Sequence, residues 1–147
     1  MREIRQIIVP VDFQSYTDEI VEFAIGIANK LAAKVTFFHV VESVEYYFDF
    51  IPTYLTLNDE ETLAHAQKKM SDLIEKSKKT WMGCTGKVSS GDVVDTILEY
   101  TQDEGMDMII MGTHGARGIE KILLGSVADR VIKRAPCPTL VFKPQRK

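Results

Sequence analysis

The sequence predicts an α/β fold: one domain over residues 1–147, a three-layer sandwich with helices on both faces of a five-stranded parallel sheet. Short β-branched or apolar runs alternate with longer segments in which apolar residues recur every three or four positions. The run Met108–Met111 is wholly apolar and is bounded by Asp107 and Gly112, which is typical of a strand buried on both faces. Because strands that alternate with helices are joined by right-handed crossovers, we expect the strands to be parallel.

The first strand is predicted over Ile4–Val9. Pro10 follows at its carboxyl end, where the missing N–H of proline does least harm to the strand ladder. Ser15 and Asp18 have the spacing of a capping box, so we expect the first helix to begin there. Its apolar residues have the i, i+3, i+4, i+7 spacing of one buried face. They are Ile20, Phe23, Ala24, Ile27, Ala28 and Leu31.

A second strand is predicted over Val35–Val41, and a second helix from Asn58 to about Lys79. The apolar face of this helix carries Leu63, Ala66, Met70, Leu73 and Ile74. Between the strand and the helix, aromatic residues are concentrated from Tyr46 to Tyr54. This aromatic segment could be a lid, a partner surface or a cover for the core. Its interleaved acidic residues argue against nucleic-acid binding.

The remaining elements follow the same alternation. A short third strand is predicted near Cys84–Ser89, followed by a turn and helix cap at Gly91–Asp92. The third helix buries Val94, Ile97 and Leu98, and Gly105 ends it at the usual C′ position.

The last helix and strand follow the Met108–Met111 strand. We expect Ser126 to cap a helix that ends at Pro136, because the residue before a proline disfavours the helical conformation. Its buried residues are predicted to be Val127, Val131 and Ile132. Thr139–Phe142 is the fifth strand.

Composition excludes several classes of protein. An apolar fraction of 45% and a charged fraction of 27% are those of an ordinary globular protein. The net charge of −3 gives no basic footprint for nucleic acid, and no apolar run approaches the roughly 20 residues that span a bilayer. The amino-terminal residues do not have the pattern of a signal peptide. Cys84 and Cys137 lack metal-site spacing and are expected to be reduced thiols in a cytoplasmic protein.

A glycine-rich segment follows the apolar strand and predicts a phosphate site. Gly112, Gly115, Gly125 and Ser126 have the spacing G-x2-G-x9-G-S. Glycine lets a ligand approach the backbone closely, and the free N–H groups at a helix start attract negative charge. A single βα turn could carry one glycine for packing alone. Two glycine turns that end in a serine are harder to explain that way, although neither the Walker pattern nor G-x-G-x-x-G is present.

This segment, with its continuation Ile122–Val127, resembles the nucleotide-binding signature of the universal stress protein family. The resemblance extends to Ile7–Phe13 near the start and Ala135–Pro138 near the end, so it covers nearly the whole chain. It is weakest across about residues 43 to 90. The resemblance implies a Rossmann-like, adenine-nucleotide-binding fold of the ATP-binding branch.

The resemblance also implies roles for particular residues. Gly112 and Gly115 approach the ribose and phosphates, with His114 between them, and Gly125, Ser126 and Val127 donate hydrogen bonds to the phosphates. The segment Pro10–Val11–Asp12 and Val40, the residue after His39, line the adenosine end, and Met111 closes over the base. From the residues alone, Asp12 could equally be a carboxylate that precedes a helix. Val40 and Met111 are equally explained as core.

A nucleotide triphosphate carries close to four negative charges, and one charge at a helix end is worth only about 0.3–1 kcal/mol. We therefore expect Mg²⁺, held through phosphate oxygens and water rather than by a protein cage. Arg117 within the glycine segment is the main candidate for a side-chain phosphate contact. Lys121 and Arg130 are weaker candidates, because they could be solvated charges on a helix.

The candidate bases and nucleophiles do not form a catalytic set. His39 is expected to be a core histidine, His65 to lie on the exposed side of its helix, and His114 to lack a nucleophile to serve. We therefore expect an ATP-dependent regulatory switch or adaptor in the stress response that acts on a protein partner. The alternatives are a slow Mg-dependent ATPase or another adenine-nucleotide enzyme, and an adaptor with a vestigial site.

The last strand, Thr139–Phe142, is apolar and would lie at a sheet edge if the strand order resembles that of the family. An uncovered apolar edge favours pairing with a second copy. We therefore predict a homodimer through this strand.

Overall fold

In a computed structural model of the protein, described for residues 2–42, 58–113 and 124–144, five strands alternate with four helices. The strands are β1 (Gln6–Pro10), β2 (Lys34–Glu42), β3 (Cys84–Gly91), β4 (Met108–Gly112) and β5 (Thr139–Phe142). The helices are α1 (Thr17–Leu31), α2 (Asn58–Lys78), α3 (Val93–Asp103) and α4 (Ser126–Arg134). The predicted α/β class is confirmed, and the predicted bounds of β5 are those observed.

All five strands are parallel and lie in the order β3-β2-β1-β4-β5. In the centre of the sheet, Ile7, Ile8 and Val9 of β1 have no exposed surface. A strand buried on both faces reads as a continuous apolar run, which explains why these sequences do not alternate with polar residues. The first strand extends over Gln6–Pro10 rather than the predicted Ile4–Val9, because Pro10 ends the ladder without breaking it.

Two helices cover each face of the sheet. On one face, α1 and α2 pack against Ile7, Val9 and Phe37. On the other face, α3 and α4 pack against Ile8 and Phe38. Consecutive strand residues point to opposite faces, so β1, β2 and β4 supply residues to both cores. The carboxyl ends of the strands are left between these layers, and the candidate site lies there.

Two of the predicted helix ends are confirmed. The side chain of Asp92 caps α3 by accepting a hydrogen bond from the N–H of Asp95 at 2.9 Å. Gly105 follows α3 with a positive φ of 63°, the left-handed conformation that suits glycine at a helix end.

Two predicted caps are wrong. Helix α1 begins at Thr17 after Tyr16, with no side-chain cap, so Ser15 and Asp18 do not form a capping box. Helix α4 has Gly125 as its N-cap, and Ser126 is its first helical residue rather than its cap. The hydroxyl of Ser126 is therefore not committed to capping α4.

The predicted helix faces are largely correct, with two exceptions at helix ends. Val94, Ile97 and Leu98 of α3 are buried as predicted. Leu31 and Ile132, in the last turns of α1 and α4, are each 42% exposed. The predicted aromatic segment from Tyr46 to Tyr54 lies outside the described residues.

Candidate functional site

A cavity of about 330 Å³ lies at the carboxyl ends of β1, β2 and β4. The chain winds from β1 towards β2 and β3 on one side of the sheet, and β4 and β5 lie on the other side. Ligands of open α/β sheets bind outside the carboxyl ends of the strands at such a reversal. The volume lies at the lower end of the range of small-molecule sites, about 300–1,000 Å³.

Most of the residues predicted for a nucleotide site line this one cavity. They are Pro10, Val11, Asp12, Val40, Met111, Gly112, Gly125, Ser126 and Val127. The other three, His114, Gly115 and Arg117, lie outside the described residues, as does Lys121. Arg130 is exposed on α4 and is not among the residues that line the cavity. The fold thus brings together residues that are more than a hundred positions apart in the chain.

The chain turns sharply after β1. Asp12 is exposed, and its Oδ1 accepts a hydrogen bond from the N–H of Gln14 at 2.9 Å. This bond forms an Asx turn, in which a carboxylate replaces a backbone acceptor. Phe13 has a φ of 60°, a left-handed conformation that costs a residue with a Cβ about 1–2 kcal/mol. The turn directs the chain from β1 into α1 and leaves Asp12 at the cavity.

His39 of β2 stabilises the same turn. Its Nδ1–H donates to the carbonyl oxygen of Val11 at 2.7 Å, and its ring lies 4.6 Å from the ring of Phe13. The Nζ of Lys69 on α2 lies 5.9 Å from the centre of the Phe13 ring. This bond agrees with the expectation that His39 is hydrogen-bonded, but the residue is half-buried and not part of the core as predicted. Its half-buried ring nevertheless lines the cavity.

The other side of the cavity is formed by the end of β4 and the start of α4. The N–H of Gly125 donates to the carbonyl oxygen of Thr113 at 2.8 Å, and the N–H of Thr113 donates to that of Phe142 at 2.9 Å. Among the described residues no side chain caps α4, whereas Asp92 caps α3. The first N–H groups of a helix have no partner within the helix, and its dipole favours an anion there. The start of α4 can therefore accept a negatively charged group.

Several cavity residues were not predicted as site residues. Glu42 ends β2, Thr113 follows β4, and Val93 and Ile97 form a wall on α3. Ile97 was predicted as core, and it has only 1% of its surface exposed. Thr113 was within reach of sequence reasoning, since it lies between Gly112 and Gly115 of the glycine pattern. Glu42 had only the signal of its position directly after the predicted second strand.

The charges of the cavity are unbalanced. Of the lining residues that the structure describes, Asp12 and Glu42 are carboxylates, and none is lysine or arginine. Within residues 2–42, 58–113 and 124–144, no cluster of three or more His, Cys, Asp or Glu side chains could hold a metal ion. In this same part of the chain no helix is long and apolar enough to cross a membrane.

The chain is similar to known proteins over nearly its whole length. Residues 3–143 match the model of the universal stress protein family. A universal stress protein of Methanocaldococcus jannaschii is 33% identical over an alignment of 151 positions, which covers 97% of this chain and 84% of that protein.

Solved structures agree with the fold. The structure of a second universal stress protein of Methanocaldococcus jannaschii is 25% identical, with a TM-score of 0.85 and coverage of 99% of this chain and 100% of that chain. A member of the family from Arabidopsis thaliana, solved with AMP bound, is 19% identical, with a TM-score of 0.68. That comparison covers 96% of this chain and 92% of that chain. With its five parallel strands, four covering helices and matched family model, the chain belongs to the universal stress protein family.

Proposed function

We propose that this protein is an ATP-binding regulatory protein of the stress response, a switch in the cytoplasm whose nucleotide-bound state a protein partner recognises. The observation that carries this proposal is the start of α4, which no side chain of the described residues caps and which lines the cavity at the carboxyl ends of β1, β2 and β4. Related evidence comes from a family member that was solved with AMP bound.

The phosphates are expected at the start of α4. Gly125, Ser126 and Val127 all line the cavity there. The N–H of Gly125 already donates to the carbonyl oxygen of Thr113, so the expected donors are the N–H groups of Ser126 and Val127. No side chain of the described residues caps them, and Ser126 can also offer its hydroxyl. Several N–H donors with a helix dipole behind them make a favourable environment for phosphate oxygens. Glycine at the N-cap permits close approach, since it has no Cβ to hold the ligand away.

The adenine ring is expected against the apolar lining of the cavity. Val93 and Ile97 of α3, with Val40 of β2 and Met111 of β4, offer an apolar surface there. A flat aromatic ring removed from water gains about 25 cal/mol for each Å² of apolar surface that it buries. Asp12 would then lie near the ribose, where a carboxylate can accept hydrogen bonds from hydroxyl groups.

A divalent cation is expected to accompany the triphosphate. The described residues contain no cage for a metal ion, and Asp12 and Glu42 add negative charge to the cavity. This donor set fits Mg²⁺ that is held mainly by phosphate oxygens and water, as is common for that ion. The cation would offset the charge of the phosphates at the acidic side of the cavity.

The first test identifies the nucleotide. Protein purified without added nucleotide is analysed by mass spectrometry after denaturation, and stripped protein is titrated calorimetrically with ATP, AMP and GTP, with and without Mg²⁺. We expect a bound adenine nucleotide and an affinity for ATP that falls when Mg²⁺ is removed. Failure of the stripped, folded protein to bind any adenine nucleotide would refute the proposal.

The second test separates a switch from an enzyme. Phosphate release is measured over many turnovers at saturating Mg-ATP, with a Gly125 variant as the background. We expect slow or no release, because the described site has no lysine or arginine to stabilise the charge that develops during phosphoryl transfer. A variant-sensitive rate near the enzyme median of about 10 per second would establish an ATPase instead.

We also propose that the protein forms a homodimer through β5. This strand pairs with β4 on one side, and among the described strands nothing pairs with its other edge. All four of its residues are only half-buried. An edge of this kind presents unpaired backbone groups that a second copy can satisfy. Light scattering at micromolar concentration tests the proposal, and a monomer would contradict it.

A further inference from the structure

Thr113 has a buried hydroxyl group that no described residue satisfies. The residue is 6% exposed, and its Oγ1 makes no hydrogen bond within the part of the chain that the structure describes. Most buried polar side-chain atoms in proteins have a partner, because a hydroxyl group removed from water loses the bonds that water supplied. An unpaired hydroxyl group therefore requires an explanation. Ser77 has the same deficit, but it does not line the cavity.

The backbone of Thr113 is fixed on both sides. Its N–H donates to Phe142 at the end of β5, and its carbonyl oxygen accepts from Gly125 at the start of α4. The residue thus joins the sheet to the uncapped helix while it lines the cavity. A rotation about χ1, which has three staggered wells, moves the hydroxyl group to the position that the methyl group or the Cβ hydrogen occupied. The hydroxyl group can therefore reach a ligand without any movement of the backbone.

We propose that the hydroxyl group of Thr113 donates a hydrogen bond to a phosphate oxygen of the bound nucleotide. This inference rests on the proposed function and adds a residue that determines the preference for a phosphorylated ligand. The part of the cavity at the start of α4 favours an anion. Thr113 is hydrogen-bonded to Gly125, the N-cap of this helix. A bond from a neutral donor to a charged acceptor is stronger than one between neutral groups.

The proposal has a thermodynamic signature that a purely structural threonine lacks. Without ligand, the hydroxyl group is buried and unpaired, so its removal should stabilise the protein. With ligand, the hydroxyl group is paired, so its removal should weaken binding. Thr101 provides the matched control, since it is 1% exposed and its hydroxyl group donates to the carbonyl oxygen of Ile97 at 2.7 Å. Its removal should not stabilise the protein.

The experiment compares Thr113→Val with Thr101→Val in the full chain, stripped of nucleotide. Valine has nearly the shape of threonine and lacks the hydroxyl group. For Thr113→Val we expect a higher Tm without ligand, at least a tenfold weaker affinity for Mg-ATP, and an unchanged affinity for adenosine. For Thr101→Val we expect an equal or lower Tm and an unchanged affinity for Mg-ATP. Thr113→Ser should bind Mg-ATP within about threefold of the natural protein, since it keeps the donor.

Three results would overturn the inference. The first is a Thr113→Val protein that binds Mg-ATP as tightly as the natural one. The second is an equal loss of ATP and adenosine affinity, which would assign the hydroxyl group to the nucleoside. The third applies if Thr113→Val does not fold. Thr113→Ser and Thr113→Ala then provide a pair that differs only in the hydroxyl group, and equal affinities of this pair for Mg-ATP would overturn the inference. If the natural protein binds no adenine nucleotide, the proposed function itself fails, and the comparison of variants is not reached.

Discussion

Replacement of Gly125 by alanine should damage both the fold and the site. A Cβ on Gly125 would lie 2.8 Å from the carbonyl oxygen of Thr113, closer than real Cβ atoms approach any atom. The same oxygen accepts the N–H of Gly125 at 2.8 Å. Both groups belong to the backbone, so no side chain can rotate to relieve the contact. The start of α4 must therefore move away from β4.

The expected cost follows from these contacts. Overpacking of a close contact costs about 1–3 kcal/mol, and loss of the hydrogen bond costs about 1 kcal/mol more. For a chain of this size each kcal/mol lowers Tm by about 2–4 °C. We also expect at least a tenfold weaker affinity for Mg-ATP, because the displaced N–H groups of α4 no longer face the phosphates. Differential scanning calorimetry and titration calorimetry measure the two effects.

Gly26 provides the matched control. It lies inside α1, is exposed, and a Cβ placed on it would meet nothing within 4 Å. Gly26→Ala should therefore stabilise the protein by about 0.5–1 kcal/mol and leave the nucleotide affinity unchanged. If Gly125→Ala kept the Tm and affinity of the natural protein, the junction between β4 and α4 would not be as rigid as we infer. A lowered Tm with an unchanged affinity for Mg-ATP would show that the start of α4 does not contact the nucleotide.

Three further perturbations test other parts of the structure. In urea unfolding, Phe13→Gly should be more stable than Phe13→Ala by about 1 kcal/mol, because only glycine adopts a φ of 60° without cost; the reverse order would contradict the left-handed turn. Burial raises the pKa of the Cys84 thiol above its ordinary 9.0, so this thiol ionises at lower pH in the unfolded chain than in the folded one. The free energy of unfolding should therefore fall as the pH rises above 9.0, and in Cys84→Ala this fall should be less steep. The carbonyl oxygens of Pro138 and Phe142 accept hydrogen bonds from β4, so the backbone groups of the residues between them alternate in direction and those of Val141 face the free edge of β5. Val141→Pro therefore removes an N–H from that free edge. Light scattering should show a folded monomer, and an intact dimer would exclude pairing through β5.

The strand ends were predictable because each is marked by its own residues. Pro10 and Asp12 follow a β-branched run, and Gly112 follows Met108–Met111, so the sequence alone places all three at a sheet edge. Their proximity required only that β1 and β4 be neighbours, and the strand order confirms that they are. Glu42 directly follows the predicted second strand, so the same argument places it at this sheet edge, although it belongs to none of the patterns that marked the other site residues.

The helix starts were less predictable because contacts between elements decide them. Ser15 has a good capping signal, but the chain is still in the turn at Phe13, with the hydrogen bond from Gln14 to Asp12, and the helix begins only after Tyr16. At α4 the residue that contacts Thr113 must lack a Cβ, so glycine takes the N-cap and Ser126 moves into the helix. A local pattern cannot contain this information, since it depends on the distance between α4 and β4.

The two sides of the cavity differ in what they can bind, and this difference restricts the ligand. On the α3 side, Val93 and Ile97 offer an apolar surface that gains nothing from a bare phosphate ion. At the start of α4, the N–H groups that no described side chain caps, and the Thr113 hydroxyl group that no described residue pairs with, form no strong hydrogen bond with an uncharged apolar ring. Asp12 and Glu42 add a repulsion of about 4 kcal/mol for each unit charge that approaches within 4 Å near a protein surface. A ligand that satisfies the whole cavity therefore needs an apolar ring, an anionic group held at the α4 side, and a cation where that group faces the carboxylates. A nucleotide with its magnesium ion meets all three requirements, whereas free phosphate or a nucleoside would use only part of the cavity.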